Sequence, residues 1–137
     1  MSFDLFLQRF EHGQAGKAPL APIREMFSCF AADTQPDCWH LVYDDRNSCH
    51  VFLSREDEEF LSSMMVNRPC CDLRLWDSLF RVLESGPWVL YFPAENPPLI
   101  LSSQLHADHL PPDMRASLGP IREVRSGEEI LRIIQTS

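Results

Sequence analysis

The sequence predicts an α+β fold, in which helices pack on a mixed, mainly antiparallel sheet as a single pair of layers. Two hairpin-like returns of the chain, at 38–54 and 88–101, favour antiparallel pairing. Other segments carry apolar residues at helical spacing and therefore supply the helices. No glycine-rich turn joins a strand to a helix, which argues against nucleotide binding of the Rossmann or P-loop kind.

The N-terminal region predicts a strand, a loop and a helix. Residues 3–10 carry large apolar residues on both faces, which is typical of a buried strand. Residues 13–19 form a loop, and Pro22 stands where a first helical residue belongs. The helix is expected to continue to about Ala32, because apolar residues recur at helical spacing.

The clearest hairpin joins residues 38–44 to residues 49–54. A turn centred on Arg46 and Asn47 predicts that Asp44 pairs with Cys49. In this register one face carries Cys38, His40, Val42, Cys49, Val51 and Leu53, and the other carries Trp39, Leu41, Tyr43, His50 and Phe52. Both faces are largely apolar, so the hairpin is expected inside the sheet and not at an edge.

Residues 55–66 fit either a helix or a strand. Ser54 and Asp57 have the spacing of a capping box, and the acidic residues nearby would stabilise a helix N-terminus. Apolar residues between Phe60 and Met65 also recur at helical spacing. The end of the stretch fits a short strand equally well, so both alternatives remain open.

A helix capped by Asp72 follows, and Gly86 and Pro87 end it. Its apolar stripe contains Leu75, Trp76, Leu79, Phe80 and Leu83. Residues 88–92 form a buried strand, and residues 99–101 return as its neighbour.

The C-terminal part predicts a loop at 103–112, a short helix at 112–117 and a strand at 121–124. Ser126 and Glu129 have the spacing of a capping box, so they are expected to begin the final helix.

The composition indicates one globular domain over residues 1–137, because 45% of the residues are hydrophobic. The net charge of −8 argues against a nucleic-acid partner. No run approaches the roughly 18 apolar residues of a membrane span, and residues 1–9 lack the features of a secretory signal. The five cysteines include no C-x-x-C pair, so we expect reduced thiols and a cytoplasmic protein.

The segment Gln104–His109 is the first candidate for chemistry. It resembles the metal-binding signature H-x-H-x-D-H of the metallo-β-lactamase superfamily, with Gln104 in place of the first His. The resemblance implies that His106, Asp108 and His109 bind metals that activate a water molecule. The first ligand is missing, however, and the 28 residues that follow are too few for the later ligands of that family. A small metal-dependent or ligand-binding enzyme using His106–His109 is therefore the alternative function, and we predict no metal and no cofactor.

Cysteine and histidine residues of the hairpin are the other candidates. Cys38, His40 and Cys49 share a face in the predicted register, but they lie too far apart along the strands for one zinc ion. Cys49 and His50 point to opposite faces of one strand, so they cannot form a thiol–imidazole pair. We therefore predict no catalytic residue.

Residues 44–59 form the candidate partner-binding segment. Their net charge is −4, from two Arg and six acidic residues: Asp44, Asp45, Glu56, Asp57, Glu58 and Glu59. If the two acidic groups lay close together, they would form one negative patch. Such a patch speeds the encounter with a basic protein partner.

Two short stretches resemble small bacterial proteins of the toxin-immunity type. They are Phe3–Gly13, and Met65–Pro69 followed by a Trp-bearing helix. The resemblance implies a small cytosolic protein that neutralises a toxin by occluding its surface. The sequence thus predicts a non-catalytic binding protein whose acidic surface covers a basic protein partner of this kind.

Overall fold

The computed structural model describes residues 1–55 and 57–137, and Glu56 lies outside the described residues. The strands are β1 (Leu5–Glu11), β2 (Gln14–Ala15), β3 (Ala18–Pro19), β4 (Ala31–Gln35), β5 (Cys38–Asp44), β6 (Asn47–Arg55), β7 (Phe60–Asn67), β8 (Trp88–Tyr91), β9 (Leu99–Leu101) and β10 (Ile121–Glu123). The helices are α1 (Leu20–Phe27), α2 (Leu73–Glu84), α3 (Pro112–Ser117) and α4 (Gly127–Gln135), with 3₁₀ helices at Ser28–Phe30 and Gln104–His109. The predicted α+β class is confirmed.

The strands form one ten-stranded sheet in the order β10-β9-β8-β1-β7-β6-β5-β4, with β2 beside β1 and β3 beside β7. Pairing is antiparallel except between β9 and β10, which run parallel. The N-terminal strand therefore lies inside the sheet, between β7 and β8. The hairpin of β5 and β6 also lies inside it, as predicted, because β4 covers the outer edge of β5.

The main core lies between one face of the sheet and helices α1, α2 and α4. Alternate residues of the strands point into it, including Leu5 and Leu7 of β1 and Val51 of β6. Helix α2 contributes Leu75, Trp76, Leu79, Val82 and Leu83, and α4 contributes Ile130, Ile133 and Ile134. The apolar stripes of these two amphipathic helices are thus buried, as their spacing predicts.

A second, smaller core lies on the opposite face, at the end of the sheet formed by β8, β9 and β10. Val89, Leu99 and Leu101 contact Ala107 and Leu110 there, and residues of α3 pack around this cluster. The predicted loop at 103–112 is therefore mostly a 3₁₀ helix. The rest of this second face has no helix over it among the described residues.

The register of the central hairpin differs from the prediction. Asp44 pairs with Asn47, and Leu41 pairs with Cys49, because the turn contains only Asp45 and Arg46. The Asp44 carboxylate fixes this tight turn by accepting a hydrogen bond of 2.8 Å from the Arg46 backbone N–H. An odd shift in register exchanges the faces of one strand relative to the other. Trp39, Leu41 and Tyr43 thus share the buried face with Cys49, Val51 and Leu53, while Cys38, His40 and Val42 lie with Ser48, His50 and Phe52.

Helix α1 differs from its prediction, and the structure decides between the two alternatives left open for residues 55–66. Helix α1 begins at Leu20 and ends at Phe27, a 3₁₀ helix follows at Ser28–Phe30, and β4 begins at Ala31, where the predicted helix would end. The ambiguous stretch is a strand, β7, because it pairs with β6 on one side and with β1 on the other. The Asp57 carboxylate accepts hydrogen bonds from the Glu59 and Phe60 backbone N–H groups and so closes the β6–β7 turn instead of capping a helix.

The two remaining caps are confirmed. Asp72 Oδ1 accepts a hydrogen bond from the Arg74 backbone N–H at 3.0 Å, and Ser126 Oγ accepts one from the Glu129 N–H at 3.2 Å. These caps satisfy N–H groups that the first turn of a helix leaves without partners. None of the described helices has the length and apolar composition needed to cross a bilayer.

Candidate functional site

The uncovered part of the second sheet face is the candidate functional site, and we call it the open face. It consists of the side chains of β5, β6, β7, β1 and β8 that point away from the main core. The paired registers arrange them in three rows that run across the strands: Cys38–Phe52–Met65–Phe6–Tyr91, Ser54–Ser63–Gln8 and His40–His50–Asn67. None of these residues is Lys or Arg.

The first of these rows, which we call the aromatic row, crosses five neighbouring strands. Phe6 and Tyr91 stack with their ring centroids 5.6 Å apart and their planes 21° apart. Phe52 is 41% exposed, although Phe is a large apolar residue, and Met65 is half-buried between the two aromatic groups. With strands about 4.8 Å apart, the row extends over about 19 Å. A continuous apolar row of this kind on a solvent-facing sheet marks a surface available for contact.

The second row lines a shallow groove beside the aromatic row. The groove has a volume of about 320 Å³, and Ser54, Ser63 and Gln8 form its polar side. The Tyr91 hydroxyl donates a hydrogen bond of 3.4 Å to Gln8 Oε1, which links the two rows. Burial raises the pKa of Tyr91, so its hydroxyl remains a neutral hydrogen-bonding group.

The third row contains a pair of imidazoles. His40 and His50 occupy directly paired positions, and their rings stack with centroids 4.4 Å apart and planes 8° apart. Asn67 continues the row on β7 and donates a hydrogen bond of 3.0 Å to Asp4 Oδ1. The row adds polar hydrogen-bonding groups to the side of the aromatic row that faces the β5–β6 turn.

The predicted acidic segment is divided by the structure into two separate groups. Asp44 and Asp45 lie at the β5–β6 turn, whereas Asp57, Glu58 and Glu59 lie at the β6–β7 turn, and Glu56 lies outside the described residues. These turns are at opposite ends of β6, which spans about 27 Å at its nine-residue length. The acidic residues therefore do not form one patch, and they flank the two ends of the open face instead.

Two of these carboxylates have a structural role in their turns. Hydrogen bonds from the Asn47 side chain, and then from the Arg46 backbone, hold the pKa of Asp44 below its usual value. Asp57 accepts two backbone hydrogen bonds at 2.7 and 3.0 Å. Asp45 and Glu59 are exposed and remain the residues of the set that best suit contact with a cationic partner, whereas Glu58 lines a cavity with Arg24 and Arg55 on the helical side.

The segment Gln104–His109 does not form the arrangement required by the metal-binding signature. The His109 Nδ1 atom accepts a hydrogen bond of 3.1 Å from the His12 backbone N–H, and His106 Nδ1 lies 3.5 Å from Ser102 Oγ. Burial, followed by the charges of His109 and Arg9, lowers the pKa of His106. Among the described residues, no group of three or more His, Cys, Asp or Glu could hold a metal ion. The His109 imidazole therefore connects this 3₁₀ helix to the β1–β2 turn, whereas His106 lies against Ser102 at the end of β9.

The cysteine residues of the hairpin lie on opposite faces. Cys38 is on the open face, whereas Cys49 is buried in the main core, so the predicted grouping of Cys38, His40 and Cys49 on one face is wrong. Burial raises the pKa of Cys49 to about 12, which leaves its thiol protonated and unreactive. His50 points to the other face of β6, as predicted, and cannot deprotonate Cys49.

Sequence reasoning missed the open face because the predicted register mixed its residues with those of the core. A signal was present in β6, where Ser48, His50 and Ser54 alternate with Cys49, Val51 and Leu53. This alternation marks one face of the strand as polar, and Phe52 is the apolar exception on it. Comparisons of the chain with protein-family models, with curated proteins and with solved structures found no match.

Proposed function

We propose that this chain is a non-catalytic binding protein of the immunity type, which holds a basic protein partner against its open face. The observation that supports the proposal best is the aromatic row, which crosses five strands and exposes Phe52 to solvent, while its Tyr91 end packs against the second core. Aromatic residues and Met are enriched in the cores of protein interfaces, and this row contains three aromatic residues and Met65.

The charge distribution favours a basic partner. Acidic turns stand at both ends of the open face, and the chain as a whole carries a net charge of −8. The turns are farther apart than the Debye length of about 8 Å at physiological salt, so each one attracts cationic residues independently. We expect these charges to act mainly on the association rate, and the aromatic row to act on the dissociation rate.

Nucleic acid fits the same face less well. Exposed aromatic residues on a sheet can stack on unpaired bases, as they do in RNA-binding sheets. Binding of that kind also needs Lys and Arg along the path of the phosphates. The rows of the open face contain neither residue, and both adjacent turns are acidic.

The proposal places the chain in the cytosol and assigns it an inhibitory role. An immunity-type protein neutralises its toxin by covering the toxin surface, and this action needs no catalytic group in the inhibitor. The buried, protonated Cys49 thiol and the hydrogen-bonded imidazoles at His106 and His109 are consistent with such a role.

The experiment compares partner capture by the wild-type chain and by two variants. Phe52→Asp, combined with Met65→Asp, places charge in the aromatic row. Leu73→Asp is the matched control, because Leu73 is 44% exposed at the start of α2 and lies outside the open face. Affinity capture from the native lysate with chemical crosslinking then identifies the bound protein and the residues that it touches.

We expect a basic protein that crosslinks to β6 or β7, is lost with the double variant and is retained by Leu73→Asp. The purified pair should then show at least a tenfold weaker affinity for the double variant in calorimetry. A partner that binds the double variant as tightly as the wild type, or that crosslinks only to the helical layer, would refute the assignment of this face.

A further inference from the structure

We infer that the part of the partner that seats on the open face is one amphipathic α-helix, apolar on one side and basic at both ends. This inference rests on the proposed function and specifies its binding mode. Four features support it: the backbone pairing of the sheet, the dimensions of the face, the positions of the acidic turns, and the burial of this chain's own helices in the main core.

The backbone N–H and C=O groups of the central strands already pair with neighbouring strands on both sides. β6 lies between β5 and β7, β7 lies between β6 and β1, and β1 lies between β7 and β8. The open face therefore presents side chains and no free row of backbone donors and acceptors. An extended segment laid on the aromatic row would bury its own N–H and C=O groups without partners, which is costly. A helix satisfies these groups internally and needs only side-chain contacts.

The dimensions of the open face fit one helix. The face is about 19 Å wide across five strands and about 27 Å long between the turns. A helix with its side chains is about 10 Å in diameter, and about eighteen residues span 27 Å at 1.5 Å per residue. Such a helix lying along β6 and β7 would cover Phe52 and Met65 in the middle of its length.

The acidic turns specify the polar part of the helix. Asp45 lies beyond one end of the face and Glu59 beyond the other, whereas Glu58 lines a cavity on the helical side with Arg24 and Trp39. A helix of the stated length brings Lys or Arg residues in its first and last turns near the Asp45 and Glu59 carboxylates. The middle of the partner helix would contact the three rows, which carry no acidic residue. We therefore expect the side of the helix that faces the sheet to be apolar in its middle part.

Another helix already covers the neighbouring part of the same face. The 3₁₀ helix Gln104–His109 and α3 pack over β8, β9 and β10, where they bury Val89, Leu99 and Leu101. Helical elements thus pack on this side of the sheet already. The aromatic row begins at the border of the area that they cover. The flexible side chain of Met65 can adapt to the side chains of an incoming helix.

A second copy of this chain is a poorer occupant. The described helices of eight or more residues bury their apolar stripes in the main core, through Leu20, Ile23 and Phe27 of α1, Leu79 of α2 and Ile130 of α4. None of these three helices can present an apolar side to another molecule without unfolding its own core. Two copies would also bring together acidic turns of the same charge.

The test uses a designed peptide as the probe, with the full chain as its target. The peptide has about eighteen residues, with Leu along one side, Lys in its first and last turns, neutral polar residues elsewhere, and acetylated and amidated ends. A scrambled peptide of the same composition, in which Leu and Lys are not segregated, is the control for non-specific attraction to an acidic protein. Fluorescence anisotropy gives the affinities, and amide NMR shifts locate the site.

We expect the amphipathic peptide to bind at least tenfold more tightly than the scrambled one and to shift amides of β1, β6 and β7. Phe52→Ser should weaken binding at least fivefold, and Leu73→Ser should leave it unchanged. Glu59→Lys should weaken binding severalfold at low salt. Thermal melting of each variant checks that it remains folded, and Phe52→Ser is chosen because this residue is 41% exposed and lies outside the main core.

Equal affinity for the two peptides, no binding of either, or shifts confined to the helical layer would overturn the helix inference. The proposed function has an independent outcome, because the natural partner is tested by capture. If that partner needs Phe52 and Met65 but crosslinks through a loop or strand, the assignment of the open face is supported and the inference of a helix is refuted. If the peptide binds to the open face but the natural partner does not contact that face, the proposed function is refuted.

Discussion

Two adjacent residues of β6 should respond to truncation in opposite ways. Val51 is fully buried in the main core, whereas Phe52 is 41% exposed on the open face. Val51→Ala removes two buried carbon groups and leaves a small cavity, so we expect a loss of about 2 kcal/mol in the free energy of unfolding. Phe52→Ala removes a larger side chain, but one that is partly exposed and that packs on open-face neighbours such as His50. We expect it to cost only about 1 kcal/mol.

Urea unfolding followed by tryptophan fluorescence measures the two losses. With equal m-values, the midpoint shifts report the stability differences directly. Melting temperatures should fall by about 4 °C per kcal/mol for a chain of this size. Partner affinity should change in the reverse order, with a large loss for Phe52→Ala and none for Val51→Ala below its melting temperature. If Phe52→Ala destabilised the fold more than Val51→Ala and left binding intact, our assignment of the two faces of β6 would be wrong.

Three further predictions concern the helical layer and the histidines. Gly127→Ala should lower the free energy of unfolding in urea by about 1–3 kcal/mol, because a Cβ there would lie 2.5 Å from the backbone of α2. Gly86→Ala should lower it less, because the nearest atoms to its Cβ belong to the movable Arg9 side chain. Asp72→Ala should lower the free energy of unfolding by about 1 kcal/mol, because it removes the N-cap of α2. Asp72→Asn should keep most of this stability, and equal losses for the two variants would argue against capping. The pKa of His106 is below its usual value in the folded chain, so the unfolded chain binds this proton first and stability should decline as the pH falls below about 6.5. His106→Gln should flatten that decline in pH-dependent melting, and an unchanged slope would contradict the role of this imidazole.

Local signals in the sequence were sufficient for the helices with clear caps. Asp72 and Ser126 precede residues at helical spacing, and both side chains accept hydrogen bonds from the first turn, as predicted. The strands at 88–91 and 99–101 were also predictable, because they are short apolar runs between turn residues. These features depend on residues within a few positions of each other, so the sequence contains all the information that they need.

The register of the hairpin and the nature of β7 depended on longer-range contacts. A turn of two or of four residues closes the same hairpin, and both alternatives place apolar residues on each face. The apolar residues of β7 satisfy helical and strand spacing alike, and pairing with β6 and β1 decides between them. The same uncertainty hid the candidate site, since the aromatic row exists only in the observed register.

The sequence by itself determined the α+β class, the capped helices, the net acidity and the presence of acidic residues near both ends of one strand. Only the tertiary structure decided that these acidic residues are far apart, because β6 is extended and carries them to opposite ends. It also decided which side of the sheet the helices cover, since α1, α2 and α4 all pack on one face, and the 3₁₀ helix Gln104–His109 and α3 cover only the β8–β10 end of the other. The surface proposed for partner binding is the result of that one-sided packing, which no local sequence pattern encodes.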